Sequence, residues 1–171
     1  MQKKMTTRAL VAALALLATS AAWADTQVRY EKPEQFTDLP FSQREREDVL
    51  KDLSAHFEKL GQSLPAGQTL KIDVTDIDLA GREEPRLRGA SDLRVLNGRA
   101  DWPRMRLHYV LEQDGKVISS GDASLSDMSY MSRINRYTGD ARLRYEKQMI
   151  DDWFVQTFGV PAKQARKAAG K

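Results

Sequence analysis

Three carboxylates crowd one short stretch, Asp73, Asp76 and Asp78, within the segment that runs from Leu70 to Gly81. Paired carboxylates can do acid and base work when one of them is desolvated and its pKa rises while its neighbour stays ionised. Asp76, Asp78, Asp101, Asp127 and Glu146 are the candidates for such a site, with Trp102 as an apolar wall. The same oxygens could instead hold calcium, but a calcium loop needs ligands at its first, third, fifth and twelfth positions. Counted from Asp76, the fifth position is Ala80 and the twelfth Leu87, so that pattern fails. At a strand end, aspartates commonly cap loop amides or pair with neighbouring arginines.

Other chemistries are excluded or left without a motif. The chain has no cysteine, which removes thiolate catalysis and thiolate metal sites. His56 and His108 stand alone, and no His-x-x-x-His spacing for zinc is present. A Gly-x-Ser-x-Gly elbow and a glycine-rich phosphate loop are also missing. No catalytic, cofactor or metal residue is assigned. Arg82, Arg86 and Arg88 belong to a stretch, Arg82 to Arg106, with seven arginines against four acids, and arginine forks suit phosphate and carboxylate groups. The candidate surface is therefore Asp76, Asp78, Arg82, Arg86, Arg88, Asp101, Trp102, Asp127, Tyr130 and Glu146.

The elements that position these residues follow from periodicity. Leu70, Ile72 and Val74 alternate with Lys71, Asp73 and Thr75 at the two-residue period of a half-buried strand. Before it, Ser42 and Glu45 form a capping box, and Val49, Leu50, Leu53, Phe57 and Leu60 recur at helical spacing. This predicts a helix over 43–60, with Gly61 as its stop. A short first strand is expected over 27–30.

After Gly81, the segment 82–91 reads as an arginine-rich loop, and Leu93 to Leu96 as a short strand ahead of the turn signal Asn97-Gly98. Met105, Leu107, Tyr109 and Leu111 alternate as a further strand. Asp114-Gly115 joins it to residues 116–124 as a two-residue hairpin with Leu111 opposite Ile118. Residues 126–139 read as a long polar loop containing Tyr130 and Tyr137. A last helix is expected over 140–158, its apolar face formed by Leu143, Ile150, Trp153, Phe154 and Phe158. The order predicts an α+β fold: a two-layer sandwich in which an antiparallel or mixed sheet of about four to five strands carries two helices on one face.

The N-terminus carries a processing pattern. Lys3, Lys4 and Arg8 precede the apolar run Ala9 to Ala18, and Ala22-Trp23-Ala24 supplies a small-x-small cleavage site. The run is shorter than the roughly 20 residues a membrane-spanning helix needs. Residues 1–24 are thus expected to be a signal peptide, 25–160 a single globular domain, and 161–171 a basic, disordered tail. Cleavage takes three positive charges from a formal net charge of +3 and leaves zero. Nucleic-acid binding is not expected from such a balance.

Several phrases resemble an uncharacterised family of exported bacterial proteins, the domain of unknown function DUF3016. They are Phe36-Thr37-Asp38, Thr75 through Gly81, Asp101-Trp102-Pro103, Ser126 through Tyr130, and Tyr145-Glu146-Lys147 with Asp152-Trp153-Phe154. The resemblance covers nearly all of the chain after the signal. It implies a periplasmic, single-domain protein of a gram-negative cell and brings no known activity. The expectation is a non-enzymatic binding or accessory module of the cell envelope, its partner an envelope protein or an anionic envelope component. The alternative is a hydrolase using Asp76, Asp78, Asp101 and Glu146. Neither a cofactor nor a membrane span is expected, and the oligomeric state is left open.

Overall fold

The computed structural model describes residues 24–84, 93–137 and 141–160, with Lys167. The signal segment before Ala24, Arg86, Arg88 and Asp140, and the tail apart from Lys167, lie outside the described residues. Four strands, β1 (Asp25–Tyr30), β2 (Gln68–Asp78), β5 (Arg104–Gln113) and β6 (Lys116–Ser126), form a mixed sheet in the order β1-β2-β5-β6. Between β2 and β5 in the chain, β3 (Arg82–Glu84) and β4 (Leu93–Val95) make a separate two-stranded sheet. The helices are α1 (Gln43–Gly61) and α2 (Arg144–Phe158).

β1 runs parallel to β2, and α1 is the crossover that such a pair requires. The other two pairings are antiparallel. Ser42 caps α1 by accepting the Glu45 N–H, as the capping signal predicts. Val49, Leu53, Phe57 and Leu60 then bury one face of the helix. They meet Leu70, Ile72 and Val74 of β2, Met105, Leu107 and Leu111 of β5, and Met149, Ile150 and Phe154 of α2 in one core. Fully burying each large side chain stabilises the fold by about 1.5–3 kcal/mol. Trp153 meets Phe57, Tyr109 and Phe158 edge to face, joining both helices to β5.

Gly61 has a role beyond the predicted stop. It is the last residue of α1, without the left-handed φ of a usual glycine stop, and a side chain there would put Cβ 1.8 Å from Thr26 Oγ1. The glycine both ends the helix and lets α1 close onto β1.

Two β-bulges set which side chains face out. Thr75 is the extra residue between Val74 and Asp76 in the β2–β5 pairing. The core side therefore shifts from the even residues Leu70, Ile72 and Val74 to the odd ones Ile77 and Leu79, and Asp73, Asp76 and Asp78 all take the helix-free face. In the β5–β6 hairpin the extra residue is Ile118, so Leu111 lies opposite Ser119 instead of Ile118. The Asp114-Gly115 turn itself forms as expected, with both φ angles positive.

Two boundaries also move. Arg82 to Glu84, read from sequence as loop, forms a strand that pairs antiparallel with β4. The last helix starts at Arg144, since Leu143 takes a left-handed conformation that stops helix growth toward the N-terminus.

Candidate functional site

Beyond the end of β2 the chain turns sharply and creates a cleft. Leu79 and Ala80 are buried, and Gly81 turns with φ 81°, its backbone so close to β4 that a Cβ would lie 2.4 Å from the Val95 carbonyl oxygen. Arg94 on β4 reaches back across this corner. Its guanidinium meets Asp38 Oδ2 at 2.6 Å and Oδ1 at 3.4 Å, and donates to the Ala80 carbonyl at 3.4 Å. Asp38 is itself bridged to β2 through Asp78, so one arginine ties the small sheet to the large one.

The start of α2 closes the other side. Glu146 is buried and accepts the Ala80 N–H at 2.8 Å. Burial pushes its carboxyl above the ordinary glutamate range, against the lowering influence of the Ala80 amide and its own amide. Between these walls and the first turns of α1 lies a cleft of about 550 Å³. Leu79, Leu96 and Tyr145 supply apolar surface, while Glu45, Asp48, Arg142 and Arg144 supply charge. Arg142 pairs with Asp52 at 3.6 Å and Asp48 at 4.0 Å, so the rim is internally balanced.

A second small core stands beside the cleft. Tyr130 and Tyr145 meet edge to face with ring centroids 4.8 Å apart, over Ala80 and against Leu96 and Trp102. The Tyr130 hydroxyl donates to Asp101 Oδ1 at 3.0 Å and accepts the Gly98 N–H at 3.2 Å. Asp101 also caps the loop by accepting the Asn97 and Arg99 amides at 2.6 and 2.9 Å. Burial works to raise its carboxyl, yet the Asn97 amide, the Tyr130 hydroxyl and the Arg99 amide together hold it below the ordinary aspartate range.

The predicted site residues do not gather in one place. Asp76 and Asp78 lie on the helix-free face of the sheet, in a ladder of ion pairs. Asp76 accepts the Thr37 N–H at 2.8 Å and Arg106 at 2.9 Å, and Asp78 stands 3.7 Å from Arg104. Burial still raises the Asp78 carboxyl, with Arg104 opposing. Arg104 in turn stacks over Trp102, its guanidinium 4.6 Å from the ring centroid. Arg82 pairs with Glu84 two residues on. Asp101, Trp102 and Tyr130 belong to the small core, whereas Asp127 accepts the Ser129 amide at 3.1 Å and pairs with Arg133 at 2.7 Å. Of the four carboxylates of the hydrolase alternative, only Glu146 lines the cleft. Each of the others is engaged by arginines or loop amides elsewhere, so the four do not form one acid and base site.

Sequence reasoning passed over a second polar centre. His56 on α1 and Asp151 on α2 are both buried, with Nε2 and Oδ1 2.9 Å apart. Tyr137 donates to Asp151 Oδ2 at 2.9 Å, and Arg136 bridges to Asp152 at 2.7 Å. The available signal was an acid on an apolar stripe: Asp151 lies three residues before Phe154 and Glu146 four before Ile150, so both had to be buried with partners. Among the described residues no group of three or more His, Asp or Glu side chains is placed to hold a metal ion.

The family model described as "Protein of unknown function (DUF3016)" matches residues 24–156. The chain belongs to the DUF3016 family. No curated protein matches it. Among solved structures, this DUF3016 chain is similar to protein XCC0632 from Xanthomonas campestris, of the family model DUF330. The identity is 13% and the TM-score 0.36, over 88% of this chain and 89% of that one. A likeness of that size carries no argument about either protein's activity. Within the DUF3016 match lie both the cleft and the small core, so the matched residues include the Ala80–Glu146 contact.

Proposed function

We propose that this protein is an exported, periplasmic binding or accessory module of the cell envelope, without catalytic activity of its own. The observation that carries the reading is the cleft of about 550 Å³ between the two helix starts. Its volume falls in the roughly 300–1,000 Å³ range of small-molecule sites, and it combines apolar walls with a few placed charges. Its polar groups are spent on holding the corner: Glu146 on the Ala80 amide, Arg94 on Asp38, Arg142 on two aspartates. None of them is paired as nucleophile and base. The ligand that suits this lining is a small amphipathic envelope molecule, its apolar part against Leu79, Leu96 and Tyr145.

Export rests on the charged start, apolar run and Ala22-Trp23-Ala24 site. Mass spectrometry of the periplasmic fraction should find a chain beginning at Asp25, and an intact Met1 chain held in the inner membrane would count against export. Binding is tested on the mature protein purified from its own periplasm. Native mass spectrometry should show a bound small molecule that Ala141→Trp, placed at the lip of the cleft, displaces without moving the urea midpoint. Turnover of a phosphoester, peptide or glycan by the same protein would overturn the non-enzymatic reading.

A further inference from the structure

The sheet ends on one side in β6, an edge strand of 11 residues. Edge strands expose unpaired N–H and C=O groups, and proteins blunt them with lysine, proline, bulges or a covering element. β6 has Lys116 and the Ile118 bulge at its start, but from Ser119 to Ser126 it is regular and contains one charge, Asp122, 92% exposed. Among the described residues no backbone hydrogen bond from outside the sheet reaches that run. Its side chains are small: Ser119, Ser120, Gly121, Ala123 and Ser124. Beside its far end, between β6 and α2, opens a pocket of about 320 Å³ whose charged lining is Asp127, Asp152 and Arg133, next to Trp153 and Gln156. Its carboxylates are already paired, Asp127 with Arg133 and Asp152 with Arg133 and Arg136, whereas Asp122, on the other face of the sheet, meets only the His108 ring, at 2.8 Å, among the described side chains.

We propose that β6 from Ser119 to Ser126 takes up an extended segment of a partner protein by strand addition, with a cationic side chain beside Asp122 on the helix-free face of the sheet. Backbone pairing would supply the affinity, and alternate side chains the specificity. The edge has a direction: Lys116 with the exposed Val117 and Ile118 at one end, the exposed Asp122 carboxylate beyond them. A segment with its base beside Asp122 and an apolar residue toward Val117 and Ile118 is complementary to it. A second copy of this chain fits less well. The longer antiparallel registers that keep Ile118 out of the pairing set the two Asp122 side chains opposite or diagonal to one another, where like charges repel. This inference does not depend on the cleft described above.

The test uses isotope-labelled mature protein and a short synthetic peptide of alternating threonine and valine with one central lysine. Titration should shift and slow exchange of the Ser119–Ser126 amides, and a glutamate in place of the lysine should weaken binding about fivefold. Asp122→Lys, a change at an exposed side chain, should invert that preference. A peptide N-methylated on alternate amides, unable to pair, should not bind. The inference is overturned if the lysine peptide gives no protection of these amides, if its shifts map to the cleft, or if the amides become protected with rising protein concentration alone.

Discussion

The Ala80 amide donates to the Glu146 carboxylate over 2.8 Å, although 66 residues separate them. The contact joins the end of β2 to the first turn of α2. It fixes the width of the cleft, and it leaves an ionisable group in a buried position.

The cost of ionising Glu146 should be visible as pH dependence. Burial is the largest influence and raises its pKa above the ordinary glutamate range. A raised carboxyl binds its proton more tightly in the folded state, so its contribution is fully favourable below the unfolded pKa and is lost as pH climbs through the folded one. Glu146→Gln keeps an acceptor for Ala80 and cannot ionise. Urea midpoints from about pH 4 to about pH 8 should fall less steeply for this variant than for wild type. Near neutrality it should be at least as stable as wild type. Glu146→Ala should instead lose about 1–3 kcal/mol, because it orphans a buried amide. A Glu146→Gln protein weaker than wild type at neutral pH would show that the ionised carboxylate is a net stabiliser.

Asp101 should behave in the opposite sense. Its carboxyl is held low by its amide and hydroxyl donors against the effect of burial, so its stabilisation is present above the ordinary aspartate pKa and disappears as pH falls through the lowered one. Tyr130→Phe removes one of those donors and the acceptor of the Gly98 amide. It should cost about 1–2 kcal/mol near neutrality and make the acid limb of the stability curve shallower. Thermal melts across that limb decide it, and an unchanged slope would mean that the loop amides alone hold Asp101.

Periodicity made the sheet and helices legible, because Val49 to Leu60 and Leu70 to Val74 have a single buried face each. What it could not show were single-residue interruptions. The bulges at Thr75 and Ile118 reset the phase of β2 and β6, and nothing in the side chains of threonine or isoleucine announces a bulge. The candidate site was legible only as a set of residue types. Whether Asp76, Asp101 and Glu146 converge depends on which face each element turns, and that the bulge at Thr75 and the left-handed Leu143 decide. Arg94 and Asp38, which build the corner, gave no signal because each is an ordinary charged residue until β4 folds back on β2.

Gly61 offers a direct test of close packing. Alanine is favoured over glycine within a helix by about 1 kcal/mol, so Gly61→Ala would stabilise α1 if the site were open. Here the new Cβ would lie 1.8 Å from Thr26 Oγ1 and 3.0 Å from Thr26 Cβ, and overpacking of this kind costs about 1–3 kcal/mol. The expected result is net destabilisation. Thr26→Ala should relieve it, since the Thr26 hydroxyl is buried without a hydrogen-bond partner and its removal orphans nothing. The double variant should therefore unfold at a higher urea concentration than Gly61→Ala alone. Equal midpoints would mean that α1 moves away from β1 instead of clashing.

The buried pair His56–Asp151 should be the most sensitive polar contact between the helices. Both side chains are almost fully shielded from solvent, and Asp151 also accepts the Tyr137 hydroxyl while Arg136 stands 3.5 Å away. Removing one member of a buried charged network typically costs about 3–5 kcal/mol, because the partners left behind cannot recover their hydration. Asp151→Ala should thus destabilise far more than Asp73→Ala, whose partner Arg29 is 77% exposed and whose loss should cost about 0–1 kcal/mol. Tyr137 supplies a readout of its own. Burial comes first in raising its hydroxyl pKa and the Asp151 charge second, so Asp151→Ala should bring that hydroxyl back toward the ordinary tyrosine range. Ultraviolet titration of the variant, with a Tyr137→Phe control to isolate one tyrosine among the five, would show the shift. If Asp151→Ala leaves both the urea midpoint and the tyrosine titration unchanged, α1 and α2 are held together by their apolar faces alone.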